Sequence, residues 1–227
     1  MEMEIILPPA IPVMTLPDVA FFPQALLPLH IFEARYRTML QDVLAADRLF
    51  AVAGLDGQVP ENPGRPEPLH RIASVGIIRA CQKNDDGTSN LLLQGLARIE
   101  VMAIVTDLPY RRIRIRALTS SPGADESENQ RLRRELARLL ELKRTLAPAG
   151  SGEMTQFLET VEDPEAFVDL AAFNLCDSPS VRQKLLETLD VHRRLQLFNR
   201  QLRAEIESIH LREKLQGRLS DDRVADN

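Results

Sequence analysis

Residues 16–40 read LPDVAFFPQALLPLHIFEARYRTML. The first half is densely apolar but holds three prolines after Leu16, and proline lacks the backbone donor that a central strand needs. The second half changes to helical spacing, with Tyr36, Met39 and Leu40 on one face of a helix expected over residues 33–46. The segment therefore predicts an irregular apolar crossing that leads into a helix.

Short apolar runs surround this segment within the first 120 residues. Alternation is clearest over residues 112–117, where arginines share one face and apolar residues share the other. Asp86-Gly87 supplies the positive φ of a tight hairpin turn. These signals predict a small antiparallel sheet or barrel, with strands at residues 11–16, 49–55, 72–81, 90–96, 98–105 and 110–118.

The composition changes at residues 119–129, TSSPGADESEN, after which Leu, Arg and Glu predominate. Asp163-Pro164 and Ser178-Pro179 are each typical of a helix start, with a capping side chain followed by proline. The second pair opens the longest expected helix, from Pro179 to about residue 217. We therefore expect a β subdomain with one helix at 1–120, a helical bundle at 121–219 and a disordered tail at 220–227.

Composition and charge exclude several classes of protein. The chain has 227 residues, a formal net charge of −5 and two cysteines, so a core can form without disulfides or a structural metal. No apolar run approaches the roughly 20 residues that span a bilayer, and acids stand at the N-terminus where a secretory signal would carry bases. We expect a cytoplasmic protein that does not bind membranes.

The motifs of common enzymes are missing from the sequence. No phosphate-binding G-x-x-x-x-G-K-[ST] loop occurs, and Ser151 lies in AGSG rather than in a G-x-S-x-G elbow. The four histidines show no H-x-x-x-H spacing. We therefore expect no catalytic residues, no metal site and no cofactor, and neither ATPase nor peptidase activity.

The segment at residues 16–40 resembles the opening of the amino-terminal domain of the Lon protease. The resemblance continues through residues 75–101, with Gly76, Gly95 and Arg98 in the family's pattern, and through residues 169–207. It implies an α+β fold, a PUA-like β pseudo-barrel followed by an α-helical bundle with a long C-terminal helix. It also implies a substrate-recognition module, here a stand-alone member without the ATPase and peptidase domains of the protease.

The apolar residues of the first motif are the candidate binding site. They either pack into the core between barrel and helices or form an exposed patch that binds unfolded or degron-bearing polypeptides. A protease or chaperone is the partner that such a role implies. The candidate polypeptide-binding residues are Phe21, Phe22, Leu26, Leu27, Ile31 and Phe32.

The long helix carries an apolar stripe to its end, including Leu202, Ile206 and Ile209. A partner protein covers this end, or a second copy of the chain covers it and forms a homodimer. The alternative is that the helix kinks and folds back on its own bundle. The alternative function is RNA binding by the PUA-like barrel, for which Arg111, Arg112, Arg114 and Arg116 would supply a basic stripe. The acidic balance of the chain argues against nucleic acid.

Overall fold

The computed structural model describes residues 7–57, 67–146 and 152–216. The strands all precede residue 119 and helices α2–α6 all follow it, which confirms the α+β class and the order of its two halves. The expected tail at 220–227 lies outside the described residues. In chain order the elements are β1 Ala10–Leu16, β2 Leu26–Ile31, α1 Ala34–Leu44, β3 Leu49–Gly54, β4 Ile72–Lys83, β5 Ser89–Thr106, β6 Arg112–Leu118, α2 Glu126–Leu146, α3 Gly152–Glu159, α4 Pro164–Leu175, α5 Pro179–Glu187 and α6 Val191–Gln216.

Five strands close a small barrel in the order β5–β4–β3–β1–β6–β5. β1 and β3 are parallel and the other pairs are antiparallel. β5 closes the ring because it is long enough to pair with β4 and then, along its second half, with β6. Nine buried side chains fill the interior: Ile11, Val13, Leu49, Ala51, Ala53, Ala73, Val75, Ile99 and Ile113.

β5 is one strand of 18 residues, so the prediction of two separate strands at 90–96 and 98–105 is wrong. The register with β4 steps from Val75↔Ala97 to Gly76↔Gly95, which leaves Leu96 as one extra residue on β5. Such a bulge bends a strand and increases its twist without ending its ladder. The barrel therefore turns at this point within a continuous strand.

β2 is the strand that the sequence analysis did not predict. It lies at the edge of the sheet and pairs only with β5 among the described strands. The Ala25 carbonyl accepts a hydrogen bond from the Gly95 N–H at 2.9 Å. The backbone groups of alternate residues point towards the neighbouring strand in an antiparallel ladder, so those of residue 28 point away from β5. Pro28 therefore sits where its missing N–H removes no ladder hydrogen bond, which is why proline is tolerated in this strand.

The two predicted helix starts are confirmed. The Asp163 carboxylate accepts a hydrogen bond from the Ala166 N–H at 2.7 Å at the start of α4. At the start of α5, the Ser178 hydroxyl accepts one from the Val181 N–H at 3.4 Å. Each cap satisfies a backbone donor that has no partner within the helix.

The single helix expected from Pro179 to about residue 217 is wrong, because the chain breaks it into α5 and α6. At the break the Ser121 N–H donates to the Leu189 carbonyl at 3.0 Å and the Val191 N–H donates to the Ser121 carbonyl at 2.9 Å. The Asp190 carboxylate then accepts from the Arg193 N–H at 2.8 Å, as an N-cap does. The segment after β6 thus supplies the hydrogen bonds that a continuous helix would have made internally.

A second apolar core lies between the barrel, α1 and the helical bundle. It joins Phe21 and Phe22 from the first half of the chain to Leu136 and Phe198 from the second half. The boundary near residue 120 therefore separates strands from helices, while the two subdomains share this core. The division into subdomains 1–120 and 121–219 stays a prediction.

Candidate functional site

The structure divides the six candidate polypeptide-binding residues between core and surface. Phe21 and Phe22 are fully buried and Ile31 is 2% exposed, so the expectation that these three contribute to an exposed patch is corrected. Leu27 is half-buried against the core. Leu26, at 50% exposure, and Phe32, at 62%, are the two whose side chains reach the surface.

The two buried phenylalanines are held by the backbone as well as by packing. The Ser74 hydroxyl donates a hydrogen bond to the Phe21 carbonyl at 2.5 Å, and the Phe21 ring makes an edge contact with Phe173, with 6.1 Å between centroids. A Cβ at Gly95 would lie 2.0 Å from the Phe22 carbonyl oxygen, so only glycine allows this approach. The proline-rich segment is therefore folded into the interface between barrel and helices.

The exposed face of β2 and the residue that follows it form a small surface of Leu26, Pro28, His30 and Phe32, here called the β2 surface. The first three are alternate residues of the strand and share its outer face. His30 stacks on Phe32, with 6.0 Å between ring centroids, and its Nδ1 lies 2.7 Å from the Asn90 Oδ1 on the neighbouring strand. The arrangement holds an aromatic ring in solvent beside an unpaired strand edge.

The three candidate interface residues of α6 are also less exposed than expected. Leu202 is fully buried and Ile206 is 6% exposed, so both belong to the bundle's own core and the expectation that they form an interface is corrected. Ile209 is half-buried. Beyond it, Leu211 and Leu215 are 54% and 64% exposed on the last turns of α6.

The reason lies in the path of α6 alongside α2. The Asn199 amide donates to the Leu132 carbonyl at 3.1 Å, and His192 and Arg203 contact Asn129 and Glu135 respectively. These contacts advance in the same direction along both helices, so α2 and α6 run parallel. α2 therefore packs along the stripe of α6 and helps to bury Leu202 and Ile206.

A buried ionic cluster joins the barrel to the helical bundle. The Asp169 carboxylate of α4 accepts two hydrogen bonds from Arg98 of β5, both at 2.7 Å, and one from Arg194 of α6 at 2.8 Å. The two guanidinium groups also donate to the Leu186 and Thr188 carbonyls. Burial lowers the pKa of Arg194, while the charge of Asp169 opposes that shift.

The ionic cluster completes its hydrogen bonds with partly exposed groups. Glu165 lies within 3.5 Å of both arginines, and the Ser120 hydroxyl accepts from Arg194 at 2.9 Å. Sequence analysis marked Arg98 through the family pattern but missed Asp169. The available signal was a carboxylate inside the otherwise apolar helix segment FVDLAAF. The cluster is a structural connection, because every charge in it has a partner within the protein.

A cleft of about 740 Å³ opens where the barrel meets α5. Its walls come from the β1–β2 connection at Asp18 and Val19, the end of β3, and Lys184 of α5. The His70 Nδ1 lies 4.0 Å from a carboxylate oxygen of Glu187 across this cleft. Both signs of charge therefore line an open groove at the junction.

The described residues hold no arrangement typical of a metal centre. Within residues 7–57, 67–146 and 152–216, no three His, Cys, Asp or Glu side chains are placed to bind one ion. In the same part of the chain, no helix combines the length and apolar character required to cross a bilayer.

The protein is therefore an α+β protein in which a small barrel shares an apolar core with a helical bundle. The family model of the ATP-dependent protease La (LON) substrate-binding domain matches residues 10–204. The chain therefore belongs to the Lon substrate-binding domain family, and the resemblance drawn from the sequence is confirmed.

Known relatives agree with this assignment. The chain is 27% identical over 216 residues to the Lon protease of Desulfosudis oleivorans and 29% identical over 219 residues to that of Trichlorobacter lovleyi, covering 95% of this chain and 26% of each relative. It thus spans about a quarter of the length of these proteases.

Solved structures show the same fold. The N-terminal domain of the Mycobacterium avium complex Lon protease superposes with a TM-score of 0.63 at 17% identity, covering 83% of this chain and 95% of that one. A Lon N-terminal domain protein from Xanthomonas campestris gives 0.58 at 20% identity, covering 82% and 95%.

Proposed function

We propose that this protein binds unfolded or degron-bearing polypeptides without catalysis, and that the β2 surface is where it contacts them. The observation that carries the proposal is the exposure of Leu26 and Phe32 beside an edge strand whose outer side has no partner among the described strands. Neither the family nor the relatives named above favour the RNA-binding alternative.

The chemistry of the β2 surface suits unfolded chains. Such chains expose apolar side chains that a folded protein hides, and a Leu or Phe side chain gains roughly 1.5 to 3 kcal/mol when it is fully buried. The edge of β2 also offers backbone groups to an extended segment, although Pro28 provides no donor there. Side-chain contacts with Leu26 and Phe32 therefore supply most of the affinity, and strand addition supplies less.

The cleft at the junction of barrel and α5 fits the same role. It is open and lined by Asp18, Lys184, His70 and Glu187, so it suits polar and charged residues that flank an apolar segment. A protease or chaperone is the partner to which bound polypeptide would pass, since the relatives that share the domain are Lon proteases.

The double substitution of Leu26→Ser and Phe32→Ser tests the binding role. We expect the dissociation constant for a permanently unfolded, carboxymethylated protein to rise at least about tenfold, the equivalent of about 1.4 kcal/mol. Fluorescence anisotropy of the labelled client measures it. Phe157→Ser is the matched control, because Phe157 is 52% exposed on α3, distant in sequence from β2. Unchanged capture by the double variant, with an unaltered melting temperature, would contradict the proposal.

We also propose self-association through the exposed end of α6. Leu211 and Leu215 lie one helical turn apart and leave an apolar face in solvent. Replacing both with Asp should dissociate a dimer at concentrations where the unaltered protein is paired, as measured by light scattering. Phe157→Asp provides the control for an added surface charge, and a wild-type protein that stays monomeric at millimolar concentration would exclude this interface.

A further inference from the structure

The second half of β5 contains two extra residues that its register with β6 leaves without a partner. Its register with β6 steps from Val101↔Ile115 to Ala103↔Arg114, and again from Ile104↔Ile113 to Thr106↔Arg112. Each step leaves one residue of β5, Met102 or Val105, without its own partner. A bulge of this kind re-aims the side chains beside it, here twice within four residues.

The residues that these bulges expose are apolar. Met102 is 48% exposed, Val105 is 58% exposed and Leu108, in the turn before β6, is 83% exposed. Ile104 between them is 41% exposed. Met102, Ile104, Val105 and Leu108 are here called the hairpin surface; all four are exposed and lie within seven residues of each other at the β5–β6 hairpin.

Arginines border the hairpin surface. Arg114 pairs with Ala103, next to Met102, and Arg112 pairs with Thr106, next to Val105. Arg114 has no ion-pair or hydrogen-bond partner among the described residues. The surface thus combines apolar side chains with a guanidinium group whose charge no described neighbour offsets.

The positive charge continues along β6. Arg116 and Arg71 both pair with the buried carboxylate of Glu100, so one negative charge faces two positive charges. Both arginines are largely exposed, at 63% and 72% of their side chains. This face is basic although the whole chain carries a formal net charge of −5.

We propose that the hairpin surface and Arg114 form a second docking site, which binds polypeptide segments that combine acidic and apolar side chains. Carboxylates complement the arginines of β6, and Leu or Phe side chains complement Met102, Val105 and Leu108. Nucleic acid fits less well, because single-stranded bases stack on aromatic rings and Tyr110, the aromatic residue nearest in sequence, is only 6% exposed.

This site is separate from the β2 surface and does not rest on the function proposed for it. β2 pairs with residues 89–94 of β5, whereas the hairpin surface begins at Met102. At about 3.3 Å per residue, eight residues of strand separate the two surfaces by about 25 Å along β5, which bends at Leu96 between them. Variants at one can therefore be tested without altering the other.

The experiment compares two synthetic peptides with the full chain by isothermal titration calorimetry. Both contain the same Leu and Phe residues, interleaved with Asp and Glu in one and with Lys in the other. We expect the acidic peptide to bind, and Arg114→Glu to weaken it about tenfold because a favourable charge becomes a repulsive one. Met102→Ser combined with Leu108→Ser should weaken it to a similar degree. All titrations use the L26S/F32S background, because the Leu and Phe side chains of either peptide would otherwise also bind the β2 surface.

A control variant and tests of other ligands show whether binding is specific to the hairpin surface and Arg114. Arg138→Glu makes the same charge reversal on the exposed side of α2 and should have no effect. Equal binding of the acidic and Lys peptides in the L26S/F32S background would overturn the proposal. It would also be overturned if M102S/L108S abolished a dimer of the free protein, or if an oligouridine displaced the acidic peptide through Arg114. Loss of calorimetric binding only with the hairpin and Arg114 variants supports it.

Discussion

Replacing Asp169 with Asn is expected to lower the free energy of unfolding by about 3 to 5 kcal/mol, the usual cost of removing one partner from a buried ion pair. The carboxylate is 2% exposed and holds Arg98 and Arg194, which are 2% and 0% exposed. Asn keeps the shape of the side chain but removes its charge, so two buried guanidinium groups lose their main counter-ion. Because these groups come from β5, α4 and α6, the loss loosens the barrel from the bundle.

Urea denaturation followed by circular dichroism measures this effect. Glu165→Gln is the matched control, since Glu165 contacts the same two arginines at 3.4 and 3.5 Å but is 39% exposed. We expect it to cost less than about 1 kcal/mol, as exposed ion pairs contribute little. A destabilisation by D169N no larger than that of E165Q would show that the buried cluster does not hold the two halves together.

Substituting Phe21 with Ala should destabilise the protein by about 3 to 5 kcal/mol, as deletion of a buried aromatic ring usually does. The ring is fully buried, packs on Phe173 and belongs to the core that both halves share. Phe32→Ala, in the same motif, should change the free energy of unfolding by less than about 0.5 kcal/mol, because the Phe32 ring is exposed to solvent.

The two phenylalanine variants separate the core from the binding surface. Thermal unfolding measures stability, and anisotropy with an unfolded client measures capture. F21A should lower the melting temperature strongly, whereas F32A should weaken capture at an unchanged melting temperature. The assignment of Phe21 to the core would be contradicted if F21A melted at the temperature of the unaltered protein.

Local patterns were sufficient for most of the elements. Asp163 and Ser178 each precede a proline, and both cap a helix as expected because capping depends on neighbouring residues. The alternation at 112–117 likewise gave β6, whose register with β1 and β5 closes the barrel. The change of composition at residues 119–129 also gave the order of the two halves.

The sequence analysis did not predict the features that depend on residues distant in the chain. The break between α5 and α6 exists because Ser121 supplies hydrogen bonds to Leu189 and Val191. β2 forms in spite of Pro28 because it occupies an edge, and edge positions are not encoded in spacing. Met102 and Val105 appear as ordinary strand residues until the register with β6 shows that they are extra.

The sequence by itself determined an α+β protein with a β-rich first half, a helical second half and the motif of the Lon substrate-binding domain. Only the tertiary structure decided which apolar residues of that motif are available to a partner. Phe21 and Phe32 are the same residue type eleven positions apart, yet one is fully buried and the other is 62% exposed. Hydrophobicity determines that a side chain gains from burial, but whether it is buried depends on which distant residues, here Ser74, Gly95 and Phe173, fold against it.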